Sequence, residues 1–322
     1  MEKAKTKVIS IEVPEKNMLK SINFYLVEKN NSLFLIDAGV NNDRYWEYLE
    51  TALHSNGYQL SNLTAILLTH HHIDHVGLIH RIGERLDIPI YTHPYAIPIL
   101  KKDPGFINMN YILFKELFAK LNCGEFGNKK MKDIYELMVN HPDSAIDLNL
   151  KEIQGSSLFD FEVIDIPGHS PDQVGFYIPE EKTIFLGDLL IEHLASNAFV
   201  EPALDGSRIK SLAQHRTSLE KIITLNPEIA LSGHSKPIHD PATLAKRRLK
   251  AIDNKANSYL AMIENGISTG SELAIKRHPK KYEQMFYTVM RDAFSFLDYL
   301  EDEGKVFKEE KNGIWYYKVE QL

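Results

Sequence analysis

LTAILLTHHHIDHVG, residues 63–77, decides how this chain is read. LTAILLT (63–69) is a short, nearly continuous apolar run of the buried-strand type, and it delivers the chain straight into His70. Three consecutive histidines, an acid and a fourth histidine then fall within six residues. Neutral imidazole and carboxylate suit zinc, iron or manganese, and a strand end entering a helix is where α/β proteins place ligands. The alternation H-x-H puts His70 and His72 on one side of an extended segment, able to chelate one ion. Asp74 and His75 lie on the following turn and can reach a second.

Four residues do not satisfy two ions, and three other strand ends supply more. PGHS places His169 after FEVIDI, LGD places Asp188 after KTIFL, and SGH places His234 after EIAL. Each sits beside a glycine, which lets the backbone turn sharply. A lone histidine is ordinarily a hydrogen-bonded residue, and His93, His141, His215, His239 and His278 are read that way. Four strand ends converging on one chemistry are not.

The chain around these sites has 322 residues, 43% hydrophobic and 25% charged, as in an ordinary globular protein. Its formal net charge of −7 argues against a general nucleic-acid binder. One cysteine, Cys123, excludes a disulfide framework and a thiolate zinc cluster. The N-terminal MEKAKTKVISIEVPEKN lacks the apolar core of a signal peptide, and no run has the length of a membrane span. A soluble protein of the reducing cytosol is expected.

Strands and helices alternate through the first part, with Asn30 and Asn31 at a hairpin turn and a helix over YWEYLETALHSNG. A helical insert occupies about residues 98–145, after which strands return. Two similar halves facing each other are expected. The last eighty or so residues read as a long helix from TLAKRRLK to Gly266, a second with Ser271 as N-cap, a third, and a hairpin turning at Asn312–Gly313.

H-x-H-x-D-H followed by PGH, GD and SGH, with LIDAG at 35–39, closely resembles the metallo-β-lactamase superfamily over roughly residues 8–240. The resemblance implies an α/β fold, an αββα four-layer sandwich with a two-metal site along one edge, in a catalytic domain of residues 1–240. It implies that His70, His72 and His169 hold one ion, that Asp74, His75 and His234 hold the other, and that Asp188 bridges them. Asp37 would orient the histidine loop, and His71 would be structural. The implied cofactors are two divalent ions, zinc ahead of iron or manganese. Residues 241–322, through YLEDEGKVFKEEKNGIWYYKV, resemble the winged-helix-like domain of a branch that includes an endoribonuclease and thioesterase-related hydrolases.

That resemblance implies hydrolysis: a metal-bridging hydroxide attacks an ester or thioester carbonyl while Asp74 orients it and helps move its proton. No G-x-S-x-G is present. Phe106, Met109, Tyr111, Phe114, Phe118 and Met138 of the insert would form an apolar lid for an acyl substrate or else cover the sandwich. His193 and Lys236 are candidate substrate contacts. Asp172–Gln173 in PGHSPDQ would cap the next element or alter the pocket floor. The rival activities are an endoribonuclease or phosphodiesterase, a lactonase, and a mononuclear iron persulfide dioxygenase. RNA is disfavoured because FYTVMRDAFSFLDYLEDE carries one Arg against five acids. KRRLK at 246–250 is read as a solvated helix face, and packing or homodimer formation is the expected use of the C-terminal module.

Overall fold

Asn30 and Asn31 take φ of 51° and 63°, the pair of positive values that a two-residue hairpin turn requires. They join β2 (Ser21–Lys29) to β3 (Ser32–Ile36), and β2 also pairs antiparallel with β1 (Lys7–Pro14). Helix α1 (Asp43–Ser55) follows, capped by the Asn42 side chain, which accepts from the Tyr45 N–H. β4 (Leu63–Leu67) then adds in parallel to β3. Short helices α2 (Ile73–Val76) and α3 (Ile79–Gly83) lead to β5 (Ile90–Thr92). Helices α4 (Ala96–Leu100), α5 (Pro104–Lys120) and α6 (Gly124–Asn140) precede β6 (Leu150–Glu152). These strands form one six-stranded sheet in the order β1-β2-β3-β4-β5-β6. The computed structural model describes residues 6–140 and 148–319; His141 and the last part of the expected insert lie outside them.

The second sheet is also six-stranded. Its strands are β7 (Ser157–Leu158), β8 (Phe161–Asp165), β9 (Val174–Ile178) and β10 (Thr183–Gly187). A small ribbon, β11 (Glu201–Pro202) with β12 (Arg208–Ile209), and helix α7 (Ser211–Leu225) intervene before β13 (Ile229–Ser232) and β14 (Ile238–His239). The order is β14-β13-β10-β9-β8-β7.

Strand periodicity builds the layers. Along β2, Tyr25 and Val27 pack with Phe161, Phe176 and Phe185 of the second sheet, while Phe24 and Leu26 pack with Tyr45 and Leu49 of α1. The far face of the second sheet packs Ile184 and Leu186 against Leu219 and Ile222 of α7. Helix, sheet, sheet and helix therefore stack as the sequence implied. Apolar residues on both faces of β2 follow from its cover on both sides.

The chain enters the C-terminal segment through one long helix, α8 (Pro241–Glu264). Its first half, with Leu244 and Ala245, belongs to the core of the second sheet. Its second half, with Ala256, Tyr259 and Ile263, belongs to a core shared with α9 (Gly270–Arg277) and α10 (Phe286–Asp302). The boundary expected after residue 240 meets the start of a helix common to both. A hairpin, β15 (Phe307–Lys311) and β16 (Ile314–Lys318), turns at Asn312–Gly313 as expected. Helix α9 is capped by Thr269 in a capping box with Glu272, not by Ser271.

Two of the insert's aromatics take neither position expected for them. Phe114 and Phe118 of α5 are buried in the C-terminal core, edge-on to Tyr287 and Phe286 of α10 at 5.1 and 5.2 Å. Tyr111 lies tilted against Tyr135 of α6, Phe106 packs edge-on with Tyr95, and Met109 lies beside the turn at Gly206. Met138, like Met109 and Tyr111, is half-buried. Helix packing buries Phe114 and Phe118, which corrects the reading of these two as a lid, while Ile112, Phe126, Leu137 and Val139 of the same helices stay exposed. Among the described residues no helix is long and apolar enough to cross a membrane.

Candidate metal centre

All seven residues expected as ligands meet at one edge of the sandwich. Their ligand atoms form three overlapping groups, His70–His72–His169, His70–His75–Asp188 and Asp74–His75–His234, each with its atoms within 4.8 Å of one another. β4 ends at Leu67, and His70 and His72 follow in extended chain before α2, which carries Asp74 and His75. His169 follows β8, Asp188 follows β10 and His234 follows β13. The glycines beside them serve different needs. Gly187 adopts φ 52°, which favours glycine. Gly233 is needed for space, since a Cβ there would lie 2.3 Å from His75 Cε1 and 2.5 Å from Asp188 Oδ1.

The outer hydrogen bonds fix which ring nitrogen faces inward. His234 Nδ1 donates to the Ser21 carbonyl at 2.9 Å. His75 Nδ1 donates to Asp37 Oδ2 at 2.8 Å. His169 Nδ1 reaches Ser196 Oγ at 2.9 Å and the Asn197 carbonyl at 3.2 Å. The Thr69 hydroxyl donates to Asp37 Oδ2, so at 3.1 Å it accepts from His70 Nδ1. In all four rings Nε2 is left as a lone pair aimed at the centre. Asp37 also accepts from the Thr69 N–H, and the backbone laces its loop to the histidine loop through Ala38 N to His75 O and Gly77 N to Gly39 O. That lacing is the structural content of LIDAG.

These lone pairs crowd one another. His72 Nδ1 lies 3.0 Å from both His70 Nε2 and His169 Nε2. One proton on His72 can serve only one of them, so at least one contact sets lone pair against lone pair. A cation resolves that repulsion. His75 Nε2 and Asp188 Oδ1 are buried with no hydrogen-bond partner, which a metal would also satisfy. Asp188 stands between the two groups: Oδ2 is 3.6 Å from His169 Nε2 and 2.9 Å from His234 Nε2, and Oδ1 is 3.4 Å from His75 Nε2. The donor set therefore fits divalent metal.

Electrostatics separates the groups. Burial, then repulsion from neighbouring imidazoles, holds His70 and His72 well below the usual histidine range; burial lowers His169 as well. Burial opposes charge on His75 and His234 too, but Asp188 outweighs it and raises both. Burial would raise Asp188, yet His234 and His75 hold it well below the carboxylate range. Asp74 is the most exposed of the carboxylates, at 22% of its side chain, with Oδ2 3.5 Å from His234 Nε2.

The remaining candidates lie at the margin. His193 uses both ring nitrogens, Nε2 on the Met18 carbonyl at 2.7 Å and Nδ1 on Ser235 Oγ at 3.1 Å, leaving none for a substrate. Lys236 is exposed. His71 points away from the ligands and pairs with buried Asp172 at 2.8 Å, while Ser170 donates to the same carboxylate. Asp172 therefore clasps the His70–His72 segment to the His169 loop, which explains Ser170 and Asp172 after PGH, while both polar atoms of the Gln173 side chain are buried without a hydrogen-bond partner. Thr69, Ser21, Ser196 and Asn197 were missed. Thr69, a polar end to an apolar strand, carried a faint signal; the other three carried none.

The profile of the metallo-β-lactamase superfamily matches residues 18–234. The probable metallo-hydrolase YqjP of Bacillus subtilis (strain 168) is 26% identical over 314 residues, 97% of this chain and 98% of its own. The atrochrysone carboxyl ACP thioesterase of Aspergillus fumigatus is 23% identical over 256 residues, 78% of this chain and 62% of its own. A crystal structure of a metallo-β-lactamase family protein from Thermus thermophilus superposes with a TM-score of 0.77 at 22% identity, covering 97% of this chain and 98% of that one. That likeness of fold extends through the C-terminal segment.

Proposed function

The chain belongs to the metallo-β-lactamase superfamily, and from that premise we propose a binuclear hydrolase that cleaves ester and, above all, thioester carbonyls. That it is a metal-dependent hydrolase accords with its family and with the metallo-hydrolase it matches along nearly its whole length. The observation that carries the two-metal reading is the ring of inward lone pairs around Asp188. His70, His72 and His169 would hold one ion, Asp74, His75 and His234 the other, and Asp188 both. Zinc suits this imidazole and carboxylate set, with iron or manganese as the alternatives. Bound there, the ions would supply an acidified water and polarise the scissile carbonyl.

The chain's own residues do the rest. Asp37, Ser21, Thr69 and the Ser196–Asn197 segment hold the imidazoles in one tautomer. Asp74, at the open side, orients the nucleophilic water and accepts its proton on a carboxylate oxygen. Neither His193 nor Lys236 is held toward a leaving group: both nitrogens of His193 are engaged and Lys236 is exposed, so only the proton taken up by Asp74 is at hand. A thiolate leaves without that help, because a free thiol has a pKa of about 8.5, whereas an alkoxide or amide needs it. The matched fungal thioesterase supports the same class.

The C-terminal helices and hairpin, read as winged-helix-like, serve here as packing. Every residue of α10 from Val289 to Leu300 is buried. Asp292 and Asp298 face inward onto Lys255 and Arg208, so this helix offers nucleic acid no surface. A small acyl substrate in the cytosol is the proposed setting.

Thiol release from a panel of short- and long-chain acyl-CoA thioesters tests the proposal, with Asp74→Ala as control. Burial pushes the Cys123 thiol up to about 12, so the protein itself contributes little background. Release by the wild type alone is expected. Silence from fully metallated protein that cleaves RNA or lactones would overturn the thioester reading.

A further inference from the structure

KRRLK at 246–250 is not wholly a solvated face. Arg248 folds back from α8 and donates from Nη2 to the carbonyls of Ile191, at 2.8 Å, and Glu192, at 3.1 Å. It thereby lines a cleft of about 360 Å³ among α7, α8, α10 and the segment 195–198. Arg277, at the end of α9, lines the same cleft, as do Lys255 and Asp292. Leu212 and Phe296 give it an apolar wall.

The charges in this cleft do not cancel. Lys255 Nζ lies 2.7 Å from both oxygens of Asp292, so that pair is closed. Among the described residues neither arginine meets a carboxylate. Arg248 meets backbone carbonyls; Arg277 donates to Ser258 Oγ at 2.9 Å and lies over the Tyr259 ring at 5.4 Å. Each guanidinium is half-buried and has a buried Nε without a partner. Uncompensated charge in a partly desolvated site is costly. The chain has 44 acids against 37 lysines and arginines, so carboxylates were not scarce.

We propose that this cleft binds a phosphate monoester on an organic stem, with Arg248 and Arg277 as its counter-charges. A phosphate monoester carries about −1.5 to −2 at neutral pH, which matches two arginines; a carboxylate would leave one unanswered. Guanidinium groups also present the planar donor fork that phosphate oxygens accept. Small-molecule sites span roughly 300–1,000 Å³, and this volume exceeds the need of a free phosphate. The stem lies on Leu212 and Phe296. The cleft adjoins the metal centre, because Ser196 and Asn197 on its wall are the residues that hold His169 Nδ1. A substrate with a phosphate at its far end is thus anchored beside a ligand loop. This deepens the thioesterase reading, on which only the kinetic arm of the test depends.

Calorimetry on the metallated protein compares 4′-phosphopantetheine, pantetheine and inorganic phosphate. The phosphorylated stem is expected to bind about tenfold or more tighter than either other probe. Arg277→Gln is expected to erase that preference, while Arg277→Lys keeps part of it, which separates the cleft from phosphate binding at the metals. In the kinetic arm, S-acetyl-4′-phosphopantetheine shows a KM about tenfold or more below that of S-acetylpantetheine. Arg277→Gln removes the difference without changing kcat on the unphosphorylated ester. Equal binding of phosphopantetheine and pantetheine by the wild type overturns the proposal even if no variant folds. So does a preference that survives Arg277→Gln. Inorganic phosphate binding as tightly as phosphopantetheine, and lost with Arg277, would overturn the stem and leave a site for the free anion. If neither ester is cleaved, the thioesterase reading fails and calorimetry still decides the cleft.

Discussion

The two halves of the metal centre are made of different chemistry. His70, His72 and His169 form an all-imidazole group, with His72 and His169 half-buried. Asp74, His75 and His234 bring a carboxylate, and both histidines are buried. The first group is kept neutral by burial and mutual repulsion. In the second, Asp188 raises His75 and His234 against the effect of burial. The candidate centre is continuous in space and unequal in its parts, with Asp188 within 3.6 Å of ring nitrogens in both.

The largest expected effect follows from breaking that join. Asp188→Ala removes the one carboxylate within 3.6 Å of nitrogens in both groups. It is expected to lower kcat by roughly three orders of magnitude, about 4 kcal/mol of barrier, and to leave fewer than two ions by elemental analysis. Full turnover with two bound ions would refute the bridge.

A smaller effect, falling directly on His75 of the second group and only through Thr69 on His70 of the first, is expected from Asp37→Asn. Asn tolerates the positive φ of 57° at this position, so the loop survives while His75 and Thr69 lose their charged acceptor. Metal affinity should fall by about 10–100-fold in a chelator-competition titration, with one ion lost before the other. Equal weakening of both ions would erase the distinction between the groups.

Asp172→Asn probes the first group and should be the mildest. It weakens the charge-assisted bond to His71 and costs about 1.5–3 kcal/mol in denaturant unfolding. Both ions remain at saturating metal. Loss of the ion at Asp74, His75 and His234 instead would show that the clasp does not act where its contacts lie.

The same contrast marks what could be read from the sequence. Each ligand sits at the end of an apolar run beside a glycine, so the local pattern named the residue and the strand end placed it. Their outer partners are another matter. Ser196 and Asn197 lie 27 and 28 residues beyond His169 in irregular chain, and Ser21 meets His234 from 213 residues away; no local pattern marks such a contact. The insert was misjudged for a related reason. Amphipathic spacing says that α5 buries a face, but the face of Phe114 and Phe118 closes on Phe286 and Tyr287, far along the chain. The acids of α10 misled in turn, because composition cannot distinguish Asp292 buried against Lys255 from an exposed charge. The cap of α9 was legible and passed over: Thr269 and Glu272 stand at the capping-box spacing.

Graded zinc reconstitution tests the central claim most directly. Chelator-stripped protein would receive zinc in fractions of an equivalent while thioester hydrolysis and bound metal are followed together. The account predicts that activity keeps rising to two equivalents per chain and then stays flat. A plateau at one equivalent, with the second ion bound or excluded without effect, would contradict a two-metal hydrolase.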